Sequence, residues 1–290
     1  MNKVHDIQIT VPNYSHVFNI EKTYFYPDNQ AWITNNFSYC FYCCGIYLIL
    51  IFGGKYYMSS RPKFNLRGPL ALWSGLLATF SIIGFSRTAP ELFHVLQHHG
   101  FYHSVCTPSN LLEDCVSGFW SWMFILSKIP ELIDTFFIVL RKQPLIFLHW
   151  YHHLSAFLFV WYIYAETVAT TRWYFTMNYF VHSVMYSYYS LKAMQYKLPK
   201  SVAVMITMLQ IVQMIMGGTV TTAAYYYRKS GHFECYMSQE NFIVCFFVYF
   251  SYLVIFVKLF YKNYLSGKSA TEDEKIRFAE IATYANKKAN

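Results

Sequence analysis

Apolar residues in this 290-residue chain are gathered into stretches of about 17 to 28 separated by short charged connections, a pattern that predicts helices long enough to cross a bilayer. Seven such stretches stand out, at 37–58, 69–86, 117–140, 145–165, 172–191, 201–227 and 239–262. The third and fifth are the least apolar, because polar residues interrupt them. The breaker-rich run from Arg61 to Pro69 reads as a loop. Residues 88–112 form the longest internal connection, predicted to lie as an amphipathic or re-entrant piece at the membrane surface because it holds Leu92, Phe93, Val95 and Leu96. From about Ser266 on, small and charged residues predict a flexible tail.

The interruptions carry the candidate chemistry. His149, His152 and His153 stand at i, i+3 and i+4, on one face of the fourth stretch. The third stretch sets Lys128, Glu131 and Thr135 on one face, with Asp134 beside it. The fifth contributes Asn178, His182, Tyr186 and Tyr189, and the sixth Thr207, Gln210 and Gln213. At about 1.5 Å of rise per residue, Asp134 and Glu131 lie about 10 and 15 Å from the end of the third helix, and His149 and His153 about 6 and 12 Å into the fourth, so they meet at similar depth. Four adjacent helices with polar faces pack economically around a polar chamber. Asn, Gln and Thr also serve simply as interhelical hydrogen bonds in lipid, and Lys128 with Glu131 as a mutually neutralising pair. Three imidazoles on one face exceed what such bonding requires.

Composition agrees: 55% of residues are hydrophobic and 13% charged, where a soluble domain has roughly 25%. The chain reads as an integral membrane protein. Its +8 formal charge sits in short loops beside apolar stretches, so topology explains it and no nucleic-acid partner is expected. Fourteen Lys and Arg fall on one side of the seven-stretch topology and six on the other, which predicts a lumenal amino terminus and a cytosolic carboxyl terminus. The sequons at Asn13 and Asn36 then face the lumen, Asn13 with more room for modification. The amino terminus shows no cleavable signal pattern. Cys106, Cys115 and Cys235 fall in predicted lumenal connections, where a disulfide is permitted, without the sequence deciding which stays free.

Histidines with nearby carboxylates also suit a metal, as in the histidine boxes of membrane desaturases and hydroxylases. His94, His98 and His99 look like a further box, but the topology puts them a membrane thickness away, and Lys128 beside the carboxylates opposes a cation. No metal is expected. A neutral imidazole is instead a competent nucleophile and general base near neutral pH. A basic rim that includes Arg141 and Lys142 suits a substrate with a phosphorylated head and an acyl tail.

Four ordered motifs, Lys128-x-Pro-Glu131-x-x-Asp134-Thr135, Phe147-Leu-His149-Trp-Tyr-His152-His153, Asn178-x-x-Val181-His182-x-x-Met185-Tyr186-x-Tyr188-Tyr189 and Thr207-x-x-Gln210-x-x-Gln213, resemble the very-long-chain fatty acid elongase family, the 3-ketoacyl-CoA synthases of the endoplasmic reticulum. The resemblance covers roughly residues 30 to 265. It implies condensation of a long-chain acyl-CoA with malonyl-CoA, with release of CO2 and CoA and no bound cofactor. It assigns the acyl-carrying histidine to His152 and a participating one to His182, with His149, His153, Lys128, Glu131 and Asp134 around them. Asn178, Tyr186, Tyr189, Gln210, Gln213, Arg141 and Lys142 are the expected substrate-binding residues. The Trp-Tyr pair inside the box looks most like the members that extend saturated and monounsaturated C12 to C16 chains, and Lys287-Lys288 near the end resembles a dilysine retrieval signal. Implied partners are the ketoacyl-CoA reductase, dehydratase and enoyl-CoA reductase of the cycle, and a second copy of the chain.

The expected fold is therefore all-α and polytopic, with seven transmembrane helices, six of them surrounding an acyl-chain chamber. A lumenal arm spans 1–32, the seven-helix catalytic domain 33–264 and the cytosolic tail 265–290. Trp161, Tyr164, Trp173 and Phe175 are candidates for the wall that limits chain length. The competing functions are a metal-dependent lipid desaturase or hydroxylase and a membrane transporter.

Overall fold

The computed structural model describes residues 9–231 and 234–266, so all of the expected tail from 267 on, with its dilysine pair, lies outside the described residues. Those residues form helices α1 (Tyr26–Asn35), α2 (Phe37–Ser59), α3 (Arg67–His98), α4 (Gly100–Cys106), α5 (Ser109–Leu112), α6 (Cys115–Glu131), α7 (Ile133–Leu140), α8 (Phe147–Ala165), α9 (Thr171–Ala193), α10 (Lys200–Ser230) and α11 (Gln239–Phe260), and a π-helical turn, Tyr261–Leu265, extends the last.

Four of these helices, rather than the expected seven, are long and apolar enough to cross a membrane: Phe37–Ser59, Arg67–His98, Lys200–Ser230 and Gln239–Leu265. The remaining stretches fall short for identifiable reasons. The third is broken at Leu132 into a 17-residue and an 8-residue helix. Pro130 has no N–H to give to the preceding turn, and the chain tightens across the break through bonds from Leu132 N to Ile129 O (3.1 Å) and from Thr135 N to Leu132 O (3.3 Å). Helices α8 and α9 keep their length but are diluted by the His, Tyr, Ser, Thr and Asn residues of the candidate site. The expectation of six spanning helices around one chamber fails with the count. Side chains near the histidines instead come from long apolar helices and from these shorter or more polar ones. The long helices turn apolar side chains outward, for example Ile49 at 72% exposed and Phe247 at 65%, as a lipid-facing surface requires. The protein is a polytopic helical membrane protein.

The second expected stretch also changes. Instead of ending near residue 86, α3 runs unbroken to His98, about 48 Å at 1.5 Å per residue, so much of the expected surface connection is helix. Among its buried positions, Ala71, Ser74, Leu77, Ser81, Gly84, Thr88, Glu91 and Val95 recur every three or four residues and form one continuous seam. Small residues in that seam let α9 approach closely: a Cβ at Gly84 would overlap the Tyr179 ring, and Ser190 Oγ donates to Ala71 O at 2.9 Å.

The N-terminal arm packs on the end of the bundle where α3 finishes and α6 begins. Glu21 is fully buried and accepts from Arg87 Nε (2.8 Å), Arg87 Nη2 (2.6 Å), Trp120 Nε1 (2.9 Å) and the Phe18 N–H (2.8 Å). Burial by itself raises this carboxyl, but the bonds from Arg87, Phe18 and Trp120 outweigh it and hold Glu21 below the ordinary carboxylate value. Tyr14 bonds Asp114, whose carboxylate also caps α6 by accepting from Val116 N. At the same end Cys106 and Cys235 form a disulfide that ties α4 to the α10–α11 connection, leaving Cys115 as the free thiol of the three. Asn13 is exposed, whereas the Asn36 amide donates to Trp32 O at 2.7 Å.

Candidate active site

The break after α6 decides how the site is built. It carries Lys128 and Glu131 on the last turn of α6 and starts Asp134 and Thr135 on α7, so one segment presents side chains toward two neighbours. Lys128 and Glu131 are each 5% exposed. The Lys128 ammonium donates to Glu131 Oε1 at 2.7 Å and to Asn178 Oδ1 on α9 at 3.3 Å, and it lies 4.0 Å from the Phe124 ring centroid. Ser127 Oγ donates to the same Glu131 oxygen at 3.0 Å. Glu131 Oε2 stands 3.9 Å from His182 Nδ1. Thus Glu131 binds the lysine and stands near, without bonding, the α9 histidine.

Asp134 has a different environment from the one expected. Its two carboxylate oxygens accept from Trp73 Nε1 on α3 and Tyr186 Oη on α9, both at 2.7 Å, so it clamps three helices and neither bond goes to a histidine. Thr135 Oγ1 takes the histidine-facing role, 3.0 Å from His149 Nε2 and 2.8 Å from Tyr47 Oη on α2. His149 and His153 have ring centroids 4.5 Å apart, and His152 and His153 5.7 Å apart at right angles. His152 turns toward α11, with its ring 4.8 Å from Tyr252 and 6.1 Å from Phe256.

Two cavities meet at these histidines. The larger, about 580 Å³, is lined by polar groups including Asp134, Arg141, His149, Tyr186, Tyr189, Lys192 and Gln210. The smaller, about 50 Å³, has Lys128 and Glu131 at its polar end and is walled beyond them by Phe124, Phe159, Val160, Tyr174, Phe175 and Tyr249. His152, His153, Asn178, His182 and Gln213 line both, so they stand at the junction between a wide vestibule that carries Asp134, Arg141 and Lys192 and a narrow slit walled on its far side by aromatic and aliphatic side chains.

Most of the expected site residues are thereby brought together. Lys142 is the exception among them: at the end of α7 it takes a left-handed backbone (φ 52°), and its ammonium donates to the Ser59 and Arg61 carbonyls instead of lining the vestibule. Gln210 reaches across to Met185 Sδ on α9 at 3.3 Å, whereas Thr207 bonds only its own helix, at Ala203 O. Of the four wall candidates, only Phe175 lines the slit. Helical phase turns the others away: Trp161 packs on Trp32 and Phe157, Tyr164 bonds Tyr24, and Trp173 donates to Ser104. The residues missed from sequence are Trp73, Lys192, Tyr252 and Phe256. Tyr249, Tyr252 and Phe256 fall at i, i+3 and i+7, a signal that was present but reads like any apolar helix face.

The family profile described as ELO: GNS1/SUR4 family matches residues 32–272. The chain is similar to very long chain fatty acid elongase 6 of Drosophila melanogaster, 51% identical over 262 residues that make up 90% of this chain and 83% of that protein. Against very long chain fatty acid elongase 6 of Mus musculus it is 43% identical, covering 85% of this chain and 93% of that protein. Against very long chain fatty acid elongase 3 of Homo sapiens it is also 43% identical, over 77% of this chain and 82% of that protein. With two differently numbered elongases at the same identity, the match fixes the family and leaves the choice among its members open. Broken α6–α7, the histidine face of α8 and the seam of α9 against α3 are therefore features of a membrane acyltransferase with condensation-type chemistry, and the chain belongs to the GNS1/SUR4 (ELO) family.

Proposed function

We propose that the protein joins a long-chain acyl-CoA to malonyl-CoA, giving a 3-ketoacyl-CoA two carbons longer, CO2 and CoA, by way of an acyl group carried on His152. The observation that carries this reading is the position of His152 at the junction of the polar vestibule and the apolar slit, where a thioester with a polar head and an apolar tail places its carbonyl. The His152 imidazole attacks that carbonyl and CoA leaves as the thiolate. Malonyl-CoA then loses CO2, and the resulting enolate attacks the acyl carbon and returns the electron pair of the C–N bond to His152. One proton is consumed overall, by the departing CoA.

The neighbours suit supporting roles. Glu131, 3.9 Å from His182 Nδ1, is placed to stabilise positive charge that gathers on that ring, while Lys128 and Asn178 offer donors to oxygen that gains charge during attack. His149 and His153 pack beside the reacting ring, and Asp134 holds α3 and α9 in place through Trp73 and Tyr186. Arg141 and Lys192 on the vestibule wall suit the phosphates of CoA, with Tyr189, Gln210 and Gln213 along the path.

We further place the enzyme in the endoplasmic reticulum membrane, amino terminus lumenal and carboxyl terminus cytosolic. The charge asymmetry of the connections supports this, as does the Cys106–Cys235 disulfide at the arm end, which suits an oxidising compartment. In this setting the substrates are saturated and monounsaturated C12 to C16 acyl-CoAs, and the partners are the reductases and dehydratase that process a 3-ketoacyl-CoA. The acyl-carrier reading is tested by incubating purified protein with palmitoyl-CoA alone and mapping the adduct by peptide mass spectrometry. A +238 Da palmitoyl adduct on His152 is expected; turnover with neither His152 nor His182 ever labelled refutes the covalent route.

A further inference from the structure

The apolar slit and the outer surface of the protein are separated by very little. Between α10 and α11 runs a second, almost wholly apolar cavity of about 600 Å³, open outward and lined by Gly218, Thr222, Tyr226, Phe246 and Phe250. Met214 and Tyr249 line both this groove and the slit beyond His152, and each is only 5% exposed. A flexible methionine and one tyrosine ring are thus shared walls of the two spaces. The ring has a defined seat: at Gly217 on α10 a Cβ would overlap Tyr249 at its Cδ1, Cε1 and Cζ atoms. One turn along, Thr221 Oγ1 bonds the Tyr174 hydroxyl at 2.5 Å and the Gly217 carbonyl at 2.6 Å, and the Tyr174 and Tyr249 rings lie 4.7 Å apart. Gly217 and Thr221 together set both aromatic walls from one face of α10.

We infer that Tyr249, seated on Gly217, is the partition that closes the acyl pocket against the bilayer-facing groove, and that this pair determines acyl-chain length. The inference rests on the proposed function, in which the acyl tail enters the slit from His152 and parts its side-chain walls, since the closed slit of about 50 Å³ is smaller than a C16 chain. Its distinctive consequence follows from what lies behind the ring. Trimming Phe175, an inner wall residue, adds only the volume of that side chain. Removing the Tyr249 ring joins the slit to a hydrocarbon-lined space about 600 Å³ in size, so the limit on length is lost instead of moved by one step.

The test uses the full chain in detergent or nanodiscs with C16, C18 and C20 acyl-CoAs and labelled malonyl-CoA, comparing wild type with Tyr249→Ala, Phe175→Ala, Gly217→Ala and the Gly217→Ala/Tyr249→Ala double variant. Tyr249→Ala is expected to raise the ratio of C20 to C16 turnover by about tenfold or more, the discrimination a hydrophobic pocket shows over single methylenes. Gly217→Ala is expected to change that ratio as well, by displacing the ring, and to change nothing further once the ring is gone. A variant without turnover is read by photocrosslinking with an acyl-CoA bearing a terminal diazirine, which needs binding only. The label is expected on slit residues in wild type and on Gly218, Thr222, Phe246 or Phe250 in Tyr249→Ala. An unchanged length ratio and unchanged label positions overturn the inference, as does groove labelling in wild type, which would make Tyr249 no partition. Absence of elongated product from wild type on every chain fails the proposed function instead, a separate result.

Discussion

Lys128 and Glu131 form a buried ion pair 2.7 Å long in the bilayer-spanning bundle, and such a pair is costly to break from one side because the remaining charge has no water to turn to. Lys128→Met or Glu131→Leu alone is expected to destabilise the protein by about 3–5 kcal/mol, whereas both together should approach wild-type stability. Thermal unfolding of the three variants checks this, and activity separates the roles: the double variant is stable yet inactive if the pair serves the reaction. On the proposed acyl-carrier role, His152→Ala is expected to cost more than about a hundredfold in turnover, the usual loss for a missing general base, because that role makes it the bond-forming group. Glu21 carries a pH prediction outside the membrane. Its folded carboxyl sits below the ordinary value of 4.5, so its contribution is present above about that pH and is lost as pH falls through the lower folded value. Tryptophan fluorescence at Trp120, or limited proteolysis of the arm, should therefore report loosening only in acid, and Glu21→Gln should loosen it at neutral pH.

At the scale of elements, the Cys106–Cys235 bridge joins residues 129 apart in sequence. Its loss in Cys106→Ser is expected to lower stability by about 2–5 kcal/mol, seen as a drop in Tm, while Cys115→Ser, which removes a free thiol, leaves Tm close to wild type. The three cysteines were legible as disulfide candidates from sequence, but the pairing depends on the approach of α4 to the α10–α11 connection, which no local pattern encodes. Helical spacing was enough to put His149, His152 and His153 on one face and to bring them to Glu131 and Thr135, because adjacent antiparallel segments share a depth. It was not enough to count the spans. Pro130 divided one stretch, polar residues diluted two others, and the small-residue seam from Ala71 to Val95 carried α3 past the point where its hydropathy falls. The bond from Trp73 to Asp134 was likewise invisible, since it joins helices distant in sequence and depends on the close fit of α3 to α9.

At the scale of the whole molecule, an apolar bundle holds a histidine junction with a wide vestibule bearing charged groups on one side and a narrow slit on the other. That arrangement suits a thioester substrate presented at His152, and family membership supplies condensation-type acyl transfer. The most direct measurement is a single assay of purified protein with a panel of saturated and polyunsaturated acyl-CoAs from C12 to C22 and malonyl-CoA labelled with ¹³C in its free carboxyl. The expected product is a 3-ketoacyl-CoA two carbons longer than the acyl donor, with the label recovered wholly as CO2 and a preference for C16 over polyunsaturated C20. Equal rates on those two chains would contradict the assignment to saturated and monounsaturated C12 to C16 substrates; no elongated product from any chain, or label retained in the product, would contradict the condensation itself.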